Sequence, residues 1–264
     1  MATSTLPVVV VGGGVMGGAL ASGLVRDDWT RVSIVEALPE RRAQLADELG
    51  VPVSAELADL LPGAAVLVLA VKPNHAAAVL DQAFDLIEPG TLVLSICAGV
   101  TIAELADHLP AGTPIVRAMP NTPAQVGAGM AALSANQAVT DDQLQLAVRL
   151  MGAVGRAIVL PESLQDAVTA VSGSGPAYVF YLAEAMIEAG VQLGLTRQQS
   201  DELVRQTILG SAQLLAGGEH PAVLRERVTS PGGTTAAAIR QLDAHAVRAA
   251  ISAAVWAAHD RSRG

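Results

Sequence analysis

The chain has a single cysteine, Cys97, so no internal disulfide can form and a reducing compartment is expected. Aromatic residues make up only 2% of 264 residues while hydrophobic residues reach 51%, so the core has to be built from Ala, Val and Leu. That composition suits tight packing of helices on parallel strands. Lysine occurs once, at Lys72, and the formal charge is −9, which argues against nucleic acid or an anionic membrane surface as a partner. No apolar run approaches the roughly 20 residues needed to span a bilayer. Met1 to Pro7 lack the basic residues of an export signal, and Gly12-Gly13-Gly14 interrupt the apolar run that follows. The histidines and the cysteine show no metal-ligand spacing, so no metal site is expected. What remains is a cytoplasmic globular protein long enough for two domains, with no membrane or nucleic-acid partner.

The chain opens with strand, glycine turn and helix. Val8-Val9-Val10-Val11 leads straight into Gly12-Gly13-Gly14-Val15-Met16-Gly17 and a run of small residues. Glycines at 12, 14 and 17 fit the dinucleotide fingerprint: a tight turn, close backbone approach to a pyrophosphate, and close packing of helix on strand. A second strand, Arg31 to Val35, ends at Glu36, about twenty residues past the glycines, where a ribose partner is expected. Glu36 favours the free hydroxyls of NADH, whereas Arg41 and Arg42 could receive the extra phosphate of NADPH or simply form a solvated helix face. Both cofactors stay open. A helix from Pro39 to Leu49, a short strand around Val51 and a buried strand over Ala64–Val71 continue the alternation. The last of these delivers Ala70, Val71, Lys72 and Pro73 to the carboxyl edge of the sheet, where ligands of open α/β sheets bind. Strand Thr91–Ile96 exits through Cys97 and Ala98, and strand Pro114–Met119 exits through Pro120 and Asn121 on the same edge. Two further strands, at 131–133 and 157–160, flank a helix that begins with Asp141 and Asp142.

Beyond Leu160 the strand pattern stops, and Pro161-Glu162-Ser163 is the expected domain boundary. Gly173-Ser174-Gly175-Pro176 should bend into a helix from Ala177 to Leu193 that is apolar nearly all round. So small a helical domain can barely bury such a helix alone, which points to a second copy of the chain. Thr196-Arg197-Gln198-Gln199 has the form of a capping box for a helix ending at Gly217-Gly218, and Pro221 suits the first turn of the next helix. Val228 to Thr235 then lead into a run of good helix formers, and a last helix is expected from Asp243 to about Arg261. Hydroxyls and glycines before a helix start leave backbone N–H groups free, a cradle for a small carboxylate or phosphate, or else an ordinary capped start.

Val228 to Asp243 resembles the signature of the pyrroline-5-carboxylate reductases residue for residue. Asp166 to Tyr178, Ala70-Val71-Lys72-Pro73 and Arg117-Ala118-Met119-Pro120-Asn121 are similar to further blocks of that family, in its order. The resemblance implies an NADPH- or NADH-dependent reductase of a cyclic imine carboxylate, acting as a homodimer or larger homo-oligomer. It implies cofactor contacts from the glycine loop, Lys72, Cys97, Ala98, Pro120 and Asn121. The cradle residues Ser230, Gly232, Gly233, Thr234 and Thr235 would hold the substrate carboxylate, with the Thr235 hydroxyl near the ring nitrogen and Glu162 facing substrate and nicotinamide. Glu36 departs from the family, which often carries small hydroxyl residues there. The expected architecture is α/β: a Rossmann-type doubly wound sheet over residues 1–160 and an all-helical dimerisation domain over residues 161–264. A β-hydroxyacid dehydrogenase would share this layout but depends on a lysine in its helical domain, and no lysine follows Lys72. A dinucleotide-binding sensor is the reading from another class; it has no need of a carboxylate cradle.

Overall fold

A computed structural model describes residues 5–263. The export-signal reading of Met1 to Pro7 therefore lies largely outside the described residues. Two compact units are present, one holding the chain through Gly173 together with the segment from His259, the other Ser174–Ala258.

The first unit alternates as its hydrophobic periods dictate: β1 Val8–Val11, α1 Val15–Arg26, β2 Val32–Val35, α2 Pro39–Leu49, β3 Val53–Ser54, β4 Val66–Leu69, α3 Ala76–Ala83, β5 Leu92–Ser95, α4 Ile102–Ala106, β6 Ile115–Met119, β7 Gly129–Ala135, α5 Asp141–Gly152, β8 Gly155–Val159 and α6 Gln165–Val168. They build one sheet in the order β3-β2-β1-β4-β5-β6-β7-β8. All pairs are parallel except β6 with β7. From β1 the chain winds to β2 and β3 on one side and returns to β4 on the other. The strand order therefore reverses between β1 and β4, and a crevice opens at their carboxyl ends.

Alternate strand residues feed two core layers, as the two-residue period of a strand requires. Val8, Val10, Ile34, Val66, Val68, Leu92 and Leu94 pack with Leu20 and Leu24 of α1, Leu45 of α2 and Leu146 and Leu150 of α5. Val9, Val11, Leu67, Leu69 and Val93 pack with Leu80 of α3 and Leu105 of α4 on the other face. The small-residue composition lets helices sit close: a Cβ on Gly23 of α1 would lie 2.4 Å from Val154 Cγ1. The strand expected around Val51 begins at Val53 instead, because Pro52 has no N–H to give to a ladder.

The unit continues past the expected boundary at Pro161-Glu162-Ser163 because the following residues bond back to the sheet. Gln165 Nε2 donates to Ala132 O at 3.2 Å and to Ser134 Oγ at 2.8 Å. Asn121 Nδ2 donates to Ser172 O at 3.3 Å. Between α6 and the second unit, Thr169–Gly173 widens into a π-helical turn.

The second unit is helical: α7 Gly175–Gln192, α8 Arg197–Ala216, α9 Pro221–Arg227, α10 Thr234–Ala244 and the start of α11, Val247–Ser262. The expected capping box is present, with Gln199 N–H donating to Thr196 Oγ1 at 3.2 Å. α7 and α8 meet tightly where Ser200 Oγ donates to Ile187 O at 2.8 Å, and a Cβ on Gly190 would clash with that hydroxyl. The last helix was expected from Asp243, but α10 runs through Ala244 and the chain turns at Ala246, φ 53°, before α11. Of Ser174–Ala258, only Ser200 and Val204 are buried.

Candidate active site

The carboxyl end of β1 meets α1 through the glycine loop. Gly12 has φ 102°, a left-handed value that glycine adopts freely. A Cβ there would lie 2.6 Å from Ala70 O, just past the end of β4. Gly17 is barred from a side chain by contact of its Cβ position with Gly12 O at 1.9 Å. Gly14 differs: nothing lies within 4 Å of its Cβ position. It caps α1 without a side-chain hydrogen bond, so the N–H groups of Val15, Met16 and Gly17 have no acceptor among the described residues. Free donors, the positive end of a helix and open space above Gly14 are what a pyrophosphate needs, so the loop fits a dinucleotide.

Glu36 stands at the end of β2 and ties this loop to α2. Its Oε2 accepts from Gly13 N–H at 2.7 Å and its Oε1 from Leu38 N–H at 2.8 Å. Arg41 of α2 donates through Nε to Gly13 O at 2.8 Å and through Nη1 to Gln44 Oε1 at 2.7 Å. Arg42 Nη1 donates to Glu36 O at 2.9 Å and Ala37 O at 2.7 Å. Gly14, Val15, Ala19, Glu36, Leu38, Arg41 and Gln125 line a cavity of about 570 Å³ beside the loop.

Ala70 and Val71 follow β4, and Lys72 stands exposed at the start of a 3₁₀ turn that Pro73 begins. The Cys97 thiol after β5 donates to Val71 O at 3.3 Å, which gathers the two strand exits. Burial pushes this thiol above its ordinary pKa, so it stays protonated and serves as packing. Asn121 after β6 accepts from Met130 N–H at 2.9 Å through Oδ1 and donates to Ser172 O and Oγ through Nδ2. Its side chain is therefore a brace, which leaves the loop's backbone, from the buried Pro120 onward, for any ligand contact.

Glu162 has partners the sequence did not announce. Its Oε1 accepts from Ile102 N–H at 2.7 Å and from Arg117 Nη1 at 3.0 Å. Arg117, on β6, is 7% exposed and Glu162 33% exposed. The signal for Arg117 was present: a cation in the middle of an aliphatic strand needs a carboxylate, but the strand pattern does not say which one. Oε2 of Glu162 accepts nothing among the described residues.

In the helical unit, α9 leads through Val228–Gly233 into α10. Thr229 Oγ1 donates to Arg225 O at 2.6 Å and pins the turn to α9. Gly232 has φ 73°, and Gly233 N–H donates to Ser230 O at 3.1 Å. Gly233 caps α10 with no side-chain hydrogen bond. The N–H groups of Thr234, Thr235 and Ala236 consequently have no acceptor among the described residues, and Ser230, Gly232, Gly233, Thr234 and Thr235 are brought together around one bare helix start.

Comparison with known proteins agrees with this geometry. Residues 162–264 match the family model described as pyrroline-5-carboxylate reductase dimerisation, and residues 7–99 match that of the NADP oxidoreductase, coenzyme F420-dependent family. The chain is 42% identical to the pyrroline-5-carboxylate reductase of Mycobacterium leprae, over 99% of this chain and 97% of that one. A solved pyrroline-5-carboxylate reductase of Coxiella burnetii superposes with a TM-score of 0.94 at 37% identity, covering 98% of both chains. The Plasmodium falciparum pyrroline carboxylate reductase, solved with NADP bound, does so with a TM-score of 0.86 at 30% identity, over 99% of this chain and 98% of that one. With a relative of this identity along nearly its whole length, and a dimerisation model over its helical end, the chain belongs to the pyrroline-5-carboxylate reductase family.

Proposed function

We propose that this protein reduces 1-pyrroline-5-carboxylate to L-proline with NADPH or NADH, as a homodimer or larger homo-oligomer in the cytoplasm. The observation that carries the reading is the bare start of α10, where three N–H donors face outward beneath a turn rich in hydroxyls. A small carboxylate is the ligand that such a site holds without a cation. In this reading residues 1–160 bind the cofactor, while residues 161–264 bind substrate and pair the subunits.

A bound nicotinamide supplies the hydride. The protein's part is to bind, orient and exclude water. Glycines 12, 14 and 17 and the N–H groups of Val15, Met16 and Gly17 take the pyrophosphate, and Lys72 adds the one lysine charge at the sheet edge. Ser230, Gly233, Thr234 and Thr235 take the substrate carboxylate, with the Thr235 hydroxyl against the ring nitrogen. The imine is basic enough to arrive protonated, so no strong general acid is required. Glu162 keeps Oε2 uncommitted among the described residues, and in this reading that oxygen favours a cationic ring nitrogen.

The test is an assay of purified protein with 1-pyrroline-5-carboxylate, with the same imine lacking its carboxylate, and with each reduced cofactor. Oxidation of cofactor that depends on the carboxylated imine is expected. Tight dinucleotide binding without turnover would favour the sensor reading instead.

A further inference from the structure

We propose that Glu36 makes this protein select NADH over NADPH. The proposal rests on the reading of the glycine loop as a dinucleotide site and concerns the far end of that ligand, the adenosine ribose. The two cofactors differ there only by a phosphate in place of one hydroxyl.

Three observations converge. The first is that the carboxylate is fixed. Gly13 N–H holds Oε2 at 2.7 Å and Leu38 N–H holds Oε1 at 2.8 Å, so the group cannot swing aside without leaving two backbone donors bare. The second is acceptor capacity. An ionised carboxylate has about four lone-pair positions, and the two backbone bonds use two of them, which leaves one on each oxygen for the two hydroxyls of an unmodified ribose. A ribose phosphate brings no second hydroxyl donor and meets a like charge.

The third observation concerns the cations. Glu36 and Arg41 both line the 570 Å³ cavity beside Gly14. Arg41 is tied to the loop, with Nε on Gly13 O and Nη1 on Gln44, and a Cβ placed on Gly18 would lie 2.7 Å from its Nη2. Arg42 uses Nη1 on the carbonyls of Glu36 and Ala37. Both arginines thus brace the corner in which the carboxylate stands. The Plasmodium falciparum relative is described with NADP bound; this chain's own residues are arranged for the other cofactor.

The experiment is calorimetric titration of the full-length protein with NADH and with NADPH, in the absence of imine. The wild-type protein should bind NADH at least about tenfold more tightly, the scale of one hydrogen bond to a charged group. Glu36→Gln keeps the size of the side chain and removes its charge, and should shrink the NADPH-to-NADH ratio of Kd values by about tenfold. Glu36→Ser should do the same, which guards against one variant failing to fold; a cooperative melt of each unliganded variant is the control. Equal or tighter binding of NADPH by the wild type, or a ratio unmoved by both Glu36 variants, overturns the proposal while leaving the dinucleotide site intact. Binding of neither cofactor overturns the site itself and the proposal with it.

Discussion

Arg117 is a cation where the strand pattern asks for an aliphatic side chain, and its neutral replacement separates charge from packing. Arg117→Met would leave the Glu162 carboxylate without its only cation among the described residues. Breaking a buried pair from one side costs about 3–5 kcal/mol, and the partial exposure of Glu162 puts this case at about 2 kcal/mol. Denaturant unfolding should show that loss, and the double replacement Arg117→Met with Glu162→Leu should recover part of it. If the losses of Arg117→Met and Glu162→Leu, each made singly, summed to the loss of the double variant, the pair would not be coupled. Thr235 makes the sharper statement about function. Thr235→Ala removes one hydroxyl and leaves the α10 backbone donors in place, so kcat/KM for 1-pyrroline-5-carboxylate should fall about tenfold to a hundredfold while cofactor Kd stays constant. A variant as active as the parent would remove Thr235 from the site. The glycine turn, the bare helix start after Gly233 and the carboxylate at the end of β2 were legible as residue types because backbone constraints act locally. The partnership of Arg117 with Glu162 was not, since 45 residues separate them and only the packed sheet brings them within 3.0 Å.

At the scale of elements, the sequence is most readable where a local rule suffices. The helix Pro39–Leu49 begins with proline and ends at Gly50 in a left-handed conformation, and both ends could be read directly. The capping box at Thr196 is of the same kind. The ends that could not be read lie where packing overrides pattern. Thr234 to Ala258 contains no glycine or proline, yet the helix breaks at Ala246, whose positive φ no alanine advertises. The π-helical turn at Thr169–Gly173 is similarly silent in sequence. Capping also has a pH signature. The Thr101 N–H and hydroxyl both donate to Glu104 at 2.7 Å, and the Thr101 backbone bond, then its hydroxyl, hold the Glu104 carboxyl below its ordinary 4.5. A folded-state value below the unfolded one means that the contribution is present above the unfolded pKa and fades as pH falls through the folded value. Thr101→Ala leaves the backbone donor but loses the hydroxyl, so the Glu104 titration followed by carboxyl NMR should rise toward 4.5. An unmoved titration would show that the hydroxyl contributes nothing.

The whole molecule poses a question of cores. The sheet unit has two of its own, one on each face, and every residue of β1 is buried. The helical unit buries only Ser200 and Val204, while Phe180 is 65% and Tyr181 76% exposed. About 85 residues cannot recover their ordering entropy from so little burial. Val179, Phe180, Ala183, Ile187 and Leu209 also line an open apolar groove of about 930 Å³ between α7 and α8. The helix expected to need a second copy is therefore the one left uncovered, and the dimerisation family matched by residues 162–264 covers it. Because association then supplies the missing core, the midpoint of thermal unfolding should rise with protein concentration. A charge set into the groove should reverse this: Phe180→Asp should lower the mass seen by light scattering to a single 26.8 kDa chain. The sheet unit of that variant should stay folded, with the buried Trp29 still emitting in the blue when Trp256 is replaced by Phe. A Phe180→Asp protein that kept its oligomeric mass and its parent melting midpoint would show that this groove is not where the copies meet.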